Sequence, residues 1–409
     1  MHTAIIGECM SLIITVFRCF MVCWLIAVLS LLSCCIPVSA SEWPENLLSG
    51  YEESPILSYV ECKLIYPLSW HSAATTRALN KPDAAYTIFN PTAAPVRVRL
   101  TSRYPDYGSE TINLVQIDAN STQAYNQYTK LSVEKIREIR TTTSANFYYK
   151  IEYWNGKDWV IHDEQTYLIT FYPMNQMVWA IENPNGTIGI YHGLIAAFVT
   201  PQSGGVTELL AKAKERATSD FDERYMLYGL ERSFSGYSSP GSLATYSDTR
   251  NYTTLQVKAI YNSLKYDYNL SYVSVPVAFG IGDSQRVSPP DESLARGSAN
   301  CIDGAVLFAS AIEAIGMRPY IIITPNHAYV AWDTDVSGTG IDALETTWIS
   351  DHDFEEAYDI GIAELVEDTA RMELYQSLLG LDISHEEYGS MCILVDIDWL
   401  RPQGILPMQ

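Results

Sequence analysis

The sequence predicts an α+β protein with a strand-rich front and a rear that runs helices first and strands afterwards. Two textures carry this prediction. From about residue 55 to 170, short runs alternate in polarity or concentrate β-branched and aromatic residues, with turn signals between them. From about residue 195 onward, apolar residues recur at helical spacing and then give way to short apolar runs.

The front strands are Ala84–Phe89, Val96–Thr101, Thr111–Ile117 and Asn146–Trp154. Asn90-Pro91, Pro105-Asp106 and Asn155-Gly156 punctuate them, because Gly, Pro, Asn and Asp each favour turn geometry. Short strands at this spacing imply an antiparallel β-sandwich of immunoglobulin-like type over residues 45–175. In Trp154–Trp159 the Asn-Gly pair is poised for a tight hairpin turn. Thr129–Arg140 adds room for one short helix. His71 and His162 stand alone and read as ordinary surface or core side chains.

Phe198-Val-Thr-Pro-Gln202 marks a junction into the rear unit, residues 195–409. Its helices are Val206–Arg216, Thr253–Leu264 (Leu255, Ala259, Ile260 and Leu264 on one face) and Cys301–Ile315. Between the first two, Phe234–Thr249 is rich in Ser, Gly and Tyr and is expected to be a loop. Strands follow at Arg318–Thr324, Ala328–Trp332, Ile341–Thr347 and Cys392–Asp396. An acidic helix over Phe354–Leu379 precedes the last of them.

Composition bounds the functions open to this chain. Its 409 residues suffice for two domains with proper cores, and 47% apolar with 18% charged residues excludes disorder. A net charge of -22 argues against nucleic acid as a partner, since phosphates would be repelled. Twenty-eight tyrosines beside 26 Lys plus Arg suggest a polar, weakly basic surface.

The first 40 residues read as a segment apart from the fold. Met21 to Ala40 carries no charge, Arg18 precedes it, and Val38-Ser39-Ala40 presents small residues before Ser41-Glu42. This is the pattern of a cleaved signal peptide. The apolar stretch also approaches the ~20 residues of a retained membrane anchor, and Leu31-Leu32-Ser33-Cys34 fits a lipoprotein box. Met10 or Met21 as start would give a more ordinary signal length. Each route expects an extracytoplasmic protein, secreted or held at the membrane only through this segment. The sequons at Asn120, Asn185, Asn251 and Asn269 are compatible with such a setting.

Five of eight cysteines fall in that segment, leaving Cys62, Cys301 and Cys392. Three cannot build a disulfide framework, and no Cys-x-x-Cys pair offers a zinc site, so no metal is expected. A single Cys62–Cys392 bridge would leave Cys301 as an odd free thiol.

Cys301 opens an apolar helix. Asn300 is a good N-cap type, Asp303 suits the positive end of the helix dipole, and Gly316 suits its stop. The apolar face Ile302, Val306, Leu307, Ala309, Ala311 and Ile315 would bury the helix and leave Cys301 at an exposed tip. Backbone dipoles at such a tip favour a thiolate, and a neighbouring imidazole would complete its activation. His327 follows the buried run Ile321–Thr324 through Pro325-Asn326 and begins another strand. Asp342 and Glu345 compete for the third role. They lie three apart, so in a strand they face opposite sides and one alone can point at His327. A nucleophile, a base and an acid that orients the base are what acyl transfer through a thioester requires.

These residues resemble the transglutaminase-like superfamily of papain-type cysteine enzymes. The family pattern sets a cysteine early in a helix, a glycine at the helix end, His-Ala-aromatic on a strand and acid-x-Thr on the next. Here these are Asn300-Cys301, Ile315-Gly316, His327-Ala328-Tyr329 and Glu345-Thr346-Thr347. Glu345 stands where Asp is commoner, and Ala299-Asn300 replaces a glycine before the cysteine. Ile260–Tyr268 and Gln285–Leu294 resemble flanks of bacterial and archaeal members, so the likeness covers about residues 195–409 and is specific in 300–348. The resemblance favours Glu345 over Asp342 and implies that Cys301 attacks an amide or peptide carbonyl while His327 protonates the leaving amine. Water then gives hydrolysis and an amine gives crosslinking. The oxyanion donor it implies is the Cys301 backbone N–H; Gln285 is a candidate side-chain donor, with an ordinary surface loop position as the alternative. The expected partner is a peptide or protein substrate at the cell surface. No calcium loop or phosphate-binding glycine motif is apparent, so no cofactor is expected. Two other readings stay open: an idle fold of this type used for binding, and a structural surface protein.

Overall fold

The structure is a computed structural model that describes residues 54–63, 65–71, 82–182, 186–219, 228–230, 234–238, 246–378 and 382–408. Residues 1–40 and the sequon at Asn185 lie outside them. The described chain mixes helices and strands as an α+β protein, in two compact units that meet in sequence between Met174 and Asn175.

In the front unit β1 (Leu57–Cys62), β2 (Ile65–Pro67), β3 (Ala84–Asn90), β4 (Val96–Arg103), β5 (Thr111–Ile117) and β6 (Ser121–Gln127) come first. The short helix α1 (Val133–Arg137) follows, capped by Ser132, and then β7 (Thr143–Trp154) and β8 (Trp159–Tyr172). They form a three-stranded sheet, β1-β3-β6, and a five-stranded sheet, β2-β8-β7-β4-β5. One core joins the two: Ala84, Tyr86 and Ile88 of β3 share it with Val98, Leu100, Phe147 and Phe171 of the larger sheet. Strict alternation in β3 supplies that inner row. All pairings are antiparallel except β2 on β8, which is parallel. Asn155 opens the β7–β8 turn, its side-chain oxygen accepting the N–H groups of Lys157 and Asp158 at 2.9 Å, and Gly156 takes a φ of +101°.

The tyrosines depart from the surface role expected of them. Tyr66, Tyr86, Tyr104 and Tyr149 are buried in this core, ring against ring. Their hydroxyls are satisfied inside, Tyr86 donating to Gln127 at 2.8 Å and Tyr104 to Asp83 at 3.0 Å. A Tyr ring contributes apolar area so long as its O–H finds a partner.

The rear unit places α2 (Gly204–Ser219) and α3 (Tyr246–Tyr266) ahead of α4 (Cys301–Ala314). Helix α3 starts at Tyr246, inside the Phe234–Thr249 stretch expected to be a loop; residues 239–245 of that stretch lie outside the description. Then come β9 (Pro319–Ile323), β10 (Ala328–Asp333), β11 (Ile341–Leu344), α5 (Phe354–Leu378) and β12 (Ile393–Asp396). The sheet order is β11-β10-β9-β12, antiparallel throughout. Every residue of β9 and β10 is buried, because α4 packs on these strands while α5 packs on β11 and β12. Tyr329, Ala331, Ile341 and Ala343 share a core cluster with Leu365 and Met372 of α5. That fixes the face of the sheet on which α5 lies.

Helix α4 is buried from Cys301 through Ile312, not along one face as the periodicity suggested. It is a central core helix, apolar all round. Gly316 ends it in the left-handed region at φ +82°, with the Met317 N–H returned to the Ile312 carbonyl at 3.2 Å. Arg401 binds the far end, forking onto Glu313 at 2.7 and 2.8 Å while donating to the Ala196 and Val199 carbonyls. The possible Cys62–Cys392 bridge is absent; both cysteines are free, Cys392 deep in the core of the rear unit. Asn120, Asn251 and Asn269 are exposed.

Candidate active site

The site is assembled where α4 begins, β10 begins and β11 ends. Asn300 caps α4 by accepting the Asp303 N–H at 2.9 Å, which sets Cys301 as the first helical residue. Such a cap contributes about 1 kcal/mol. Asp303 is itself held: it accepts the Ser288 N–H at 2.7 Å and pairs with Arg296 at 3.2 Å. Burial outweighs these bonds and leaves its carboxyl above the ordinary range.

His327 stands at the end of the β9–β10 turn, with its carbonyl accepting the Thr324 N–H at 2.9 Å. Its ring bonds Glu345 Oε2 through Nε2 at 2.6 Å, and the Cys301 side chain is near enough to act on its titration. Nε2 is taken by Glu345, which leaves Nδ1 as the nitrogen available to a reacting group. Burial works to lower the His327 pKa, but its interactions with Cys301 and Glu345 outweigh it and push it up to about 10. The imidazolium is therefore the form present at neutral pH. Glu345 answers in the opposite sense: although burial raises it, the bond to His327 brings its carboxyl below the ordinary range.

Glu345 is 1% exposed and uses both oxygens. Oε1 accepts the Thr347 N–H at 2.7 Å and caps the 3-10 turn Thr346–Ser350, while Oε2 faces His327. The Glu345 N–H donates to the Ala357 carbonyl of α5 at 3.1 Å. This arrangement separates Glu345 from Asp342. Asp342 faces the other way, fully buried, in a fork with Arg250 of α3 at 2.6 and 3.1 Å and a bond to Thr254 at 3.1 Å. It holds α3 to the sheet and does not meet His327.

Cys301 departs from expectation in one respect: it is 2% exposed, not an open tip. The residues leading into α4 are themselves paired, Ser298–Ala299 alongside Ser271–Tyr272, with the Val273 N–H on the Ala299 carbonyl at 2.9 Å. The His327 side chain, 26% exposed, forms the open edge of the trio.

Gln285 lies on a three-residue strand, Ser284–Arg286, paired with Gln176–Val178. Its Oε1 accepts the Ala278 N–H at 3.1 Å, whereas Nε2 is buried with no partner. A buried amide N–H2 left unpaired is costly, by about 1–3 kcal/mol. Ser288, three residues on, is the one bonded to Asp303 in the first turn of α4. A Gln285→Leu variant removes the unpaired Nε2 but also the acceptor of the Ala278 N–H, so it is expected to keep its fold with little net change in stability, and to lose about 10²–10³ in kcat if Nε2 meets a developing oxyanion; thermal melting and steady-state kinetics read the two effects separately.

Gly304 sits one turn into α4, where an added Cβ would come within 2.8 Å of Thr346 Oγ1. Its lack of a side chain lets the helix carrying Cys301 approach the Glu345–Thr347 segment. Gly304→Val is expected to cost roughly 1–3 kcal/mol by overpacking and to slow Cys301 chemistry along with it, as urea unfolding and thiol labelling would report.

Sequence reasoning missed Glu364 of α5. One donor atom each from Glu364, Glu345 and His327 lie within 4.8 Å of one another. Such a set can hold a divalent cation in principle, yet the 2.6 Å between His327 Nε2 and Glu345 Oε2 is a hydrogen-bond length. An ion bound by both at about 2.0–2.2 Å would spread them apart, so a proton suits this spacing better. His162, in the front unit, lies between Ser54 and Ser58 at 2.7 and 3.0 Å, a satisfied side chain; that of His71 lies outside the description. A cavity of about 380 Å³ in the rear unit is lined by Phe279, Pro325 and Tyr388 among others, but by none of Cys301, His327 and Glu345. The bonded pair His327–Glu345 beside Cys301, and not this cavity, is the candidate centre. Compared with known proteins, the chain matches no family model, and no curated protein matches it.

Proposed function

We propose that this protein is an exported cysteine enzyme of the transglutaminase-like, papain-type class, with a rear catalytic unit behind an immunoglobulin-like β-sandwich. Its reaction is acyl transfer on amide or peptide substrates at the cell surface. One observation carries the reading: the imidazole of His327 is bonded to Glu345 at 2.6 Å, with Cys301, at the start of α4, close enough to act on its titration. In the proposed mechanism the Cys301 thiolate adds to the carbonyl carbon, and the negative charge that develops on oxygen is met by the Cys301 backbone N–H and Gln285 Nε2. The C–N bond breaks as His327 Nδ1 gives its proton to the leaving amine, and the acyl group stays on sulfur as a thioester. His327, now neutral, takes a proton from the incoming water or amine, which displaces the thiolate. Glu345 holds the ring in position and balances its charge throughout.

A second reading, an idle fold of this class used for binding, is favoured by the 2% exposure of Cys301. Incubating the protein and its Cys301→Ser variant with a peptide library, with and without a primary amine, separates the two. Cleaved or amine-coupled peptides formed by the wild type alone support the enzyme and tell water from amine as acceptor. Products from neither protein support the binding module.

A further inference from the structure

We propose that Glu364 is a positioning residue for Glu345: its carboxyl keeps the proton that lets it lie beside the buried acid Glu345, donates it in a hydrogen bond to Glu345, and so aims Glu345 at His327. The catalytic consequence rests on the reading above; the carboxyl pair itself does not.

The placement follows from strand alternation and one glycine. Tyr329 and Ala331 of β10, with Ile341 and Ala343 of β11, face α5. His327 and Glu345 continue those two rows by a step of two residues. Gly361 then allows α5 to lie on the β11 backbone, since a Cβ there would meet Leu344 N and Cα at 2.7 Å. Glu364 comes one helical turn after Gly361 and is thereby delivered to Glu345. Its Oε2 is sealed from solvent and has no donor to satisfy it. An ionised carboxylate in that position would have one oxygen buried and undonated and would be set against a second negative charge. A protonated one brings its own O–H, and the Glu345 oxygens are the acceptors at hand.

The ionisable groups facing Glu364 are Glu345, His327 and Tyr329 from the sheet and Asp368 from α5 itself. Asp368 is engaged elsewhere, by Arg371 at 3.1 Å and the Tyr329 hydroxyl at 3.0 Å. Burial first, then the bond to Glu345 and its charge, push the Glu364 carboxyl up to about 8. It therefore holds its proton at neutral pH and loses it just above. With that loss Glu345 forfeits a donor and gains a like charge beside it, and His327 parts with its proton less readily.

Infrared difference spectra taken below and above about pH 8 test the pair in the intact protein without reference to activity. The wild type is expected to lose a protonated-carboxyl band across that step, and Glu364→Gln to show no such loss. Cys301 alkylation by iodoacetamide, followed against pH, tests the consequence. Glu364→Leu is expected to slow labelling at neutral pH by roughly tenfold to a hundredfold through misplacement of Glu345. Glu364→Gln, whose amide donates but cannot ionise, is expected to recover the greater part and to lose the inflection near pH 8. A band loss that persists in Glu364→Gln, or variants that keep the wild-type pH profile, would overturn the proposal. Labelling that is indifferent to His327→Ala would instead defeat the enzyme reading and leave the infrared result to decide the carboxyl pair.

Discussion

A His327→Ala variant is expected to transfer acyl groups about 10²–10⁴-fold more slowly than the wild type, with the loss in kcat and little change in KM. The ring has two duties that no neighbour can assume. In the proposed mechanism it faces the Cys301 sulfur as the nucleophile attacks, and its proton goes to the leaving amine. Because the ring is raised from an ordinary value near 6.5 to about 10, the charged form is favoured in the fold. The stability it contributes is fully present below about 6.5 and is lost as pH rises through about 10. The variant should therefore be less stable than the wild type at neutral pH, and the gap should close at strongly alkaline pH. Steady-state kinetics and urea midpoints across that range would check both parts. An unchanged kcat would remove His327 from the chemistry.

Arg250→Ala is expected to destabilise the rear unit by roughly 3–5 kcal/mol, the cost of leaving a buried charge without its partner. Asp342 is fully buried and takes its two strongest bonds from the Arg250 guanidinium, which also reaches the Tyr358 hydroxyl at 3.1 Å. Removing the guanidinium strands that carboxylate between α3 and the sheet. Glu345→Gln should behave in the opposite way, impairing chemistry far more than folding, because the amide keeps the shape of the 3-10 cap but gives His327 no charge to pair with. Chemical denaturation and kinetics on the two variants check this division. A catalytic defect in an Arg250 or Asp342 variant that folds normally would mean that the two acids had been assigned the wrong way round.

How far the sequence could be read depended on whether a feature is local. The long front strands were visible because one face of each is buried, so their residues alternate; β3 shows this cleanly. The three-residue strands Gln176–Val178 and Ser284–Arg286 carry too few residues for any period, so the mooring of Gln285 was hidden. In β9 and β10 burial on both faces produced plain apolar runs, and these too were readable. Helix α4 looked amphipathic because Ser310 and Glu313 interrupt it, yet Ser310 bonds the Val306 carbonyl at 2.7 Å and is buried with the rest. That is a tertiary fact, as are the burial of Cys301 and the pairing of residues 298–299 with 271–272.

The site divides in the same way. Cys301, His327 and Glu345 were named because helix start, strand start and acid-x-Thr are features of sequence. Alternation said that Asp342 and Glu345 must face apart, but only the position of Arg250, 92 residues upstream of Asp342, decides which faces the ring. Glu364 was lost in an acidic helix. A signal was present in retrospect: Phe354, Ala357, Gly361, Leu365, Asp368 and Met372 form the buried stripe of α5. A glycine within such a stripe marks close approach to a backbone, and the acid one turn beyond it flanks the contact.

The most direct test of the central claim is the rate at which iodoacetamide alkylates Cys301 at neutral pH, read by mass spectrometry on the intact protein and on His327→Ala. An activated pair predicts rapid labelling confined to Cys301 in the first and a fall of at least about a hundredfold in the second. Slow labelling at the same rate in both proteins would contradict it.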